Sequence, residues 1–356
     1  MNYIKNVNLW GTVCDIGIED GKFSFIGKTD EDGVDFGGAK IFPGLVDMHS
    51  HGAIGDDADG AELERTSRFY LENGTTTWYP TTTTVSFESI ISSCRARTDF
   101  EGGANIPGFH LEGPFINKKY RGAQNDRFAK DPDFSLLEAC PRAKIITVAP
   151  ELDGAMEFIK KATEAGVVVC LGHTDADYDT CMKAFRAGAK SLTHTCNAMP
   201  GIHHRAPGPI AAGADAGAYA QVISDGYHLH PSVVRLLVKL YGTDRVMLIS
   251  DSVSSAKMPD GEYGLGGRGI YIKDGIIRTL DTGVLAGSSF TLYECVTAAI
   301  SFGISERDAF KMASETPSKL MGLNKGKIEV GYDADFIIAD ENYKIINTAA
   351  MGRLCK

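Results

Sequence analysis

An α/β fold, with eight parallel strands closed into a barrel and a small β domain built from both ends of the chain, is the fold class this sequence predicts. Three observations carry it. The chain has 356 residues, too many for one small core and enough for a barrel of roughly 250 residues with a satellite. Both ends read as short strand-like pieces broken by turn residues, whereas the middle alternates apolar or β-branched runs with helical stretches. Eight strand runs can be counted in that middle, at 41–48, 75–82, 106–112, 144–149, 166–172, 190–195, 219–225 and 245–251, the number a (β/α)8 TIM barrel needs. A doubly wound open sheet is the alternative.

The elements follow in order. Residues 3–36 are strand pieces punctuated by Asp-Gly and Gly-Gly, and the last thirty residues share that texture. The small β-sandwich domain is therefore placed at 1–43 plus 325–356, and the barrel at 44–324. Helices fill the gaps between barrel strands, for example over 60–74 and over 175–190. The second opens with an acidic turn and closes near a Gly, as helix-end chemistry favours. The run TTTWYPTTTT at 75–84 is a β-branched strand, not low complexity.

Composition excludes several functions. With 36 Lys and Arg against 46 Asp and Glu, the formal charge is -10, and no basic block could track a nucleic acid backbone. Eight cysteines are scattered without a CxxC pair, so neither a disulfide scaffold nor a structural zinc site is indicated. No run approaches the ~18 apolar residues of a membrane helix, and the N-terminus has no secretory apolar segment. These features lead to the expectation of a cytoplasmic protein with no membrane partner.

Chemistry collects at the ends of the candidate strands, which in a barrel face the top loops. IFPGLVDMHSHG ends the first run with His49 and His51, two apart and so aimed the same way. HLEGP closes the third with Glu112, GVVVCLGHT the fifth with His173, KSLTHTCNAMP the sixth with His194, and RVMLISDS the eighth with Asp251. Each alone has an ordinary reading as a loop or core residue. Together, imidazoles and carboxylates at five strand ends form the donor set of a catalytic zinc, iron or manganese ion, and the implied reaction is hydrolysis by activated water.

That order of ligands resembles the amidohydrolase superfamily. The segments HLEGPFIN, LGHTDADYD, THTCNAMPGIHHRAPG, VISDGYHLH and LAGSSFTL are similar to the N-acetylglucosamine-6-phosphate deacetylase family within it, and GKIEVGYDADFIIAD is similar to the superfamily's small-domain return. The resemblance implies removal of the acetyl group from N-acetylglucosamine 6-phosphate. It assigns Glu112, His173 and His194 to a first divalent metal (zinc, iron or manganese), and His49 and His51 to a second. Asp251 becomes a metal-site residue and the general base and acid. It assigns substrate contacts to Ala123, Gln124, Asn197, Ala198, Arg205, His228 and Leu285. It also implies a homodimer in which Arg205 reaches the neighbouring active site. Gln124, in RGAQND, stands where relatives carry a histidine, an uncharged group at a position assigned to phosphate. The superfamily's other amide hydrolases often use a carboxylated lysine on the fourth strand; here AKIITVAPE has only Lys144, at the wrong end. A non-catalytic barrel is the rival of a different class, and metal content discriminates it.

Overall fold

The computed structural model describes residues 2–60 and 62–355. Met1 and Lys356, at the outer ends of the expected small domain, and Ala61, at the start of the expected 60–74 helix, lie outside them.

Eight parallel strands form the central sheet: β1 (Leu45–Ser50), β2 (Thr75–Thr82), β3 (Phe109–Glu112), β4 (Ala143–Val148), β5 (Val168–Leu171), β6 (Ser191–Leu192), β7 (Tyr219–Ile223) and β8 (Val246–Ile249). They pair in sequence order, each with the next. The seam between β8 and β1 is joined just past the end of β8, where Asp251 N–H donates to His49 O at 2.9 Å and His51 N–H to Ser252 O at 2.7 Å. Asp47, buried on β1, accepts from Ser250 Oγ at 2.5 Å and reinforces the same join.

The expected 41–48 strand is two strands. Lys40–Pro43 pairs antiparallel with Phe336–Ala339 in the small domain, and β1 begins at Leu45. Gly44 turns the chain between the two sheets; a Cβ there would stand 2.4 Å from Thr76 Oγ1, a contact only glycine avoids. The small-domain sheet gathers strands from residues 2–43 and 336–354 and buries Ile4, Val7, Ile16, Phe23, Ile41, Phe336 and Ile338.

The helices over 64–72 and 178–187 sit inside the two expected spans. The second is capped by Asp177, whose side chain accepts from Thr180 N–H. An element not expected from the sequence follows β8: an antiparallel sheet of β9 (Gly261–Leu265), β10 (Arg268–Lys273) and β11 (Ile276–Thr279). It buries Leu265, Ile270, Ile272 and Ile277 with Val253 and Ala286, beside the barrel mouth. Among the described residues, no helix is long and apolar enough to cross a membrane.

Candidate active site and metal centre

The strand ends converge on one point. Glu112 Oε1 lies 3.2 Å from His173 Nε2, 2.9 Å from His194 Nε2 and 3.2 Å from His49 Nε2, while Oε2 lies 3.0 Å from His51 Nε2. Asp251 Oδ1 stands 3.4 Å from His49 Nε2 and 3.5 Å from His51 Nε2. Two groups that could hold a metal share Glu112: His49 with His51, and His173 with His194. Asp251 belongs to neither group and stands beside the first.

The imidazoles are oriented from behind. His51 Nδ1 lies 2.9 Å from Thr81 O, His173 Nδ1 2.9 Å from Tyr120 O, and His194 Nδ1 3.2 Å from Asn197 O. A carbonyl oxygen only accepts, so each Nδ1 carries the hydrogen and each Nε2 turns a lone pair to the centre. His49 Nδ1 meets Gln221 Oε1 at 3.0 Å, with the Gln221 amide nitrogen turned towards Cys170 Sγ. Lone pairs from four rings and a carboxylate facing one another at these separations would repel without a cation between them. Ligands about 2.0–2.2 Å from one ion are spaced about 3.0–3.5 Å apart, as these atoms are. The residues fit a divalent metal.

The backbone at these positions is strained. His173, His194 and Asp251 have φ of 47°, 26° and 48°, a region costing side-chain-bearing residues of order 1 kcal/mol or more each. The left-handed turn swings each side chain off the end of its strand into the centre. Burial alone would raise the Glu112 carboxyl, but with no ion bound His49, His173 and His194, when they carry the proton that a metal would displace, hold it well below the usual carboxylate range. Asp251 is likewise lowered, burial being outweighed by His49 and His51. Beneath the centre, His110 fills the barrel between Met48 O and Thr147 Oγ1, and burial lowers its pKa so that it is a neutral floor.

Above the centre opens a cavity of about 410 Å³ whose wall includes Ala123, Gln124, Asn197, Ala198, His228 and Leu285. Arg205 is not in it. Its exposed side chain lines a separate groove with Asp175, Tyr178 and Pro207, and its Nη1 donates to His204 Nε2 at 2.6 Å. Among the described residues, the cavity wall holds no Lys or Arg. Gln124 is turned towards Glu112: its Nε2 donates to Glu112 Oε2, and its Oε1 accepts Thr84 N–H at 2.7 Å.

Several contributors carry no signal in the sequence. Asp225, two residues past β7, holds His228 at 2.7 Å; the SDGYH string contained it, but nothing marked it as a partner. Leu265 from β9, with Val253 and Val284, supplies an apolar wall.

A model of the amidohydrolase family matches residues 41–355. An N-acetylglucosamine-6-phosphate deacetylase of Vibrio furnissii is 33% identical over 347 residues, covering 93% of this chain and 86% of the relative. An N-acetylgalactosamine-6-phosphate deacetylase of Escherichia coli O157:H7 is 30% identical, covering 88% of this chain and 87% of the relative. Among solved structures, an N-acetyl-D-glucosamine-6-phosphate deacetylase of Mycobacterium smegmatis, determined in complex with N-acetyl-D-glucosamine-6-phosphate, superposes with a TM-score of 0.92 at 28% identity over 99% of each chain. Matched along most of its length and carrying paired histidine and carboxylate groups at its barrel mouth, the chain belongs to the amidohydrolase family.

Proposed function

We propose that this chain hydrolyses the acetamide of N-acetylglucosamine 6-phosphate, releasing acetate and glucosamine 6-phosphate. The observation that carries the reading is the convergence of Glu112, four histidines and Asp251 at the floor of a cavity of about 410 Å³, within the range of small-molecule sites. The likeness to deacetylases of phosphorylated amino sugars supplies the substrate class.

A divalent ion at Glu112, His173 and His194, with a second at His49, His51 and Glu112, would polarise the acetyl carbonyl and acidify the attacking water. Zinc, iron and manganese all suit these donors. The chain's own residues handle protons and position. Asp251, ionised and directed at the centre, takes a proton from the water as its oxygen bonds to the carbonyl carbon. It passes that proton to the amide nitrogen as the C–N bond breaks. His228, braced by Asp225, presents its other ring nitrogen to the sugar. Asn197 and Ala198 offer backbone groups, and Val253, Leu265 and Leu285 cover the apolar face.

Among the described residues, one copy's cavity wall offers the phosphate no Lys or Arg, and its His228 is already paired with Asp225. Arg205, exposed and with a guanidinium fork suited to phosphate, supplies the cation from a second copy in a homodimer. Gln124 serves Glu112 instead of phosphate in this reading.

Acetate release from N-acetylglucosamine 6-phosphate and from N-acetylglucosamine, in metal-replete and chelator-treated protein, tests the proposal. Metal-dependent turnover favouring the phosphorylated sugar supports it; turnover indifferent to chelation or to phosphate sinks it. The likeness to an N-acetylgalactosamine-6-phosphate deacetylase favours a second reading, decided by running the galacto epimer in the same assay.

A further inference from the structure

We propose that Arg268, on the inserted sheet, is a positioning residue that acts through Gln124 on Glu112 and thereby sets retention of the ion at His49 and His51. The inference rests on the metal reading above.

Gln124 lies in a loop between two short 3-10 turns, with no strand or helix of its own to hold it. Arg268 holds it from outside. Its Nη1 donates to Gly122 O at 3.0 Å and Gln124 O at 3.1 Å, while its Nη2 is 2.7 and 2.6 Å from the two carboxylate oxygens of Asp281. Only 10% of the Arg268 side chain is exposed, against 54% for Asp281. Both terminal nitrogens are occupied, so this guanidinium is a clamp and not a free phosphate ligand. Lysine, with no planar fork, would not bridge two carbonyls and a carboxylate together.

The turn before it adds a second tie. Asn125 Nδ2 donates to Gly266 O at 3.3 Å. Gly266 has φ +55°, and a Cβ there would stand 2.7 Å from Thr83 Oγ1, so glycine alone lets the hairpin tip press against the end of β2. The next residue, Thr84, gives its N–H to Gln124 Oε1. Gln124 is therefore held at its main-chain oxygen by Arg268 and at its side-chain oxygen by Thr84, leaving its amide nitrogen aimed at Glu112 Oε2.

The consequence falls on one carboxylate oxygen. With Oε2 fixed towards Gln124 and His51, Oε1 is left to His173, His194 and His49. Glu112 is thus turned to serve both groups at once. Without Arg268 the loop loosens, Gln124 drifts, and the oxygen that faces His51 loses its orientation first.

The test is metal binding by wild type, Arg268→Ala, Arg268→Lys, Gln124→Ala and the Arg268→Ala/Gln124→Ala pair, each stripped and reloaded with Zn²⁺ against a competing chelator. Wild type should take two equivalents. Gln124→Ala should weaken the more labile equivalent about 10- to 100-fold, as loss of an outer-shell partner does. Arg268→Ala should weaken the same equivalent, with partial recovery in Arg268→Lys, and should add nothing in the Gln124→Ala background. Unchanged binding in Arg268→Ala, or an equal loss in both backgrounds, overturns the proposal. So does a wild type that takes one equivalent, although the Glu112, His173 and His194 reading would then survive; no binding at all sinks both. Should Arg268→Ala fail to fold, Asp281→Asn should give about a threefold weakening, the worth of one partly exposed ion pair, and no change there is equally fatal.

Discussion

His228 stands on Asp225. Its Nδ1 lies 2.7 Å from Asp225 Oδ2, while Oδ1 of the same carboxylate takes the N–H groups of His228 and Tyr227 at 2.9 Å each. The ring is thereby fixed with its other nitrogen towards the cavity, and the loop after β7 is tied into one turn.

Asp225→Asn should leave metal content intact while raising KM for the sugar, because the ring loses its orientation. The pair should also shape stability against pH. Burial would lower the His228 pKa, but Asp225 raises it; burial would raise Asp225, but His228 lowers it. The raised histidine contributes stability fully below its unfolded pKa of about 6.5, and loses it as pH climbs through the higher folded value. The lowered aspartate contributes above about 3.9 and loses it as pH falls through the lower folded value. Thermal melts of wild type and Asp225→Asn should therefore differ most between about pH 3.9 and 6.5, the gap shrinking only as pH rises through the raised His228 value or falls through the lowered Asp225 value. A constant difference across pH would remove the ion pair.

Asp251→Asn should keep its metal and bind sugar, yet turn over at least about 100-fold more slowly, the scale of lost proton transfer. Single-turnover kinetics beside metal analysis would check this. Full activity would dismiss the proton-carrying role.

Glu112 is the one residue common to both metal groups. Glu112→Ala should strip both ions, whereas His51→Ala should spare the ion at His173 and His194. Metal analysis after gel filtration decides; equal losses in the two variants would show that the groups bind as one.

Arg205→Ala should raise KM for the phosphorylated sugar far more than for the plain one. Mixing it with an Asp251→Asn variant should recover part of the activity if the guanidinium crosses between copies. Equal effects on both sugars would put the phosphate elsewhere.

Much of the site was legible because barrel geometry places chemistry at strand ends: His173 and Asp251 follow largely apolar runs, and His194 ends the short run KSLT. The left-handed φ that swings them inward was not legible, since nothing in GHT, THT or SDS announces it. The 41–48 run hid a change of sheet because apolar residues continue on both sides of Pro43-Gly44, masking the turn that this pair signals. The β9–β11 sheet escaped because GEYGLGGRGIYIKDG is rich in glycine and charge and lies beyond the eighth strand. Likeness assigns Gln124 to phosphate; its side chain faces Glu112, and its main-chain oxygen is held by Arg268 some 140 residues later, a partner no local pattern announces. Asp225 and Gln221 act from behind His228 and His49, and a partner of that kind has no sequence signature.

The seam between β8 and β1 ties catalysis to the history of the chain. Ser50 and Ser252, 202 positions apart, are hydrogen-bonded at 3.1 Å there, and the His49 and Asp251 backbones meet beside them. During synthesis the first histidines leave the ribosome long before the carboxylate they face, and long-range pairings of this kind form slowly. Until Asp251 emerges, β1 is an unpaired edge able to join another chain's strand. The last barrel strand thus brings Asp251 to the histidines of the metal centre and withdraws the edge from aggregation in the same event.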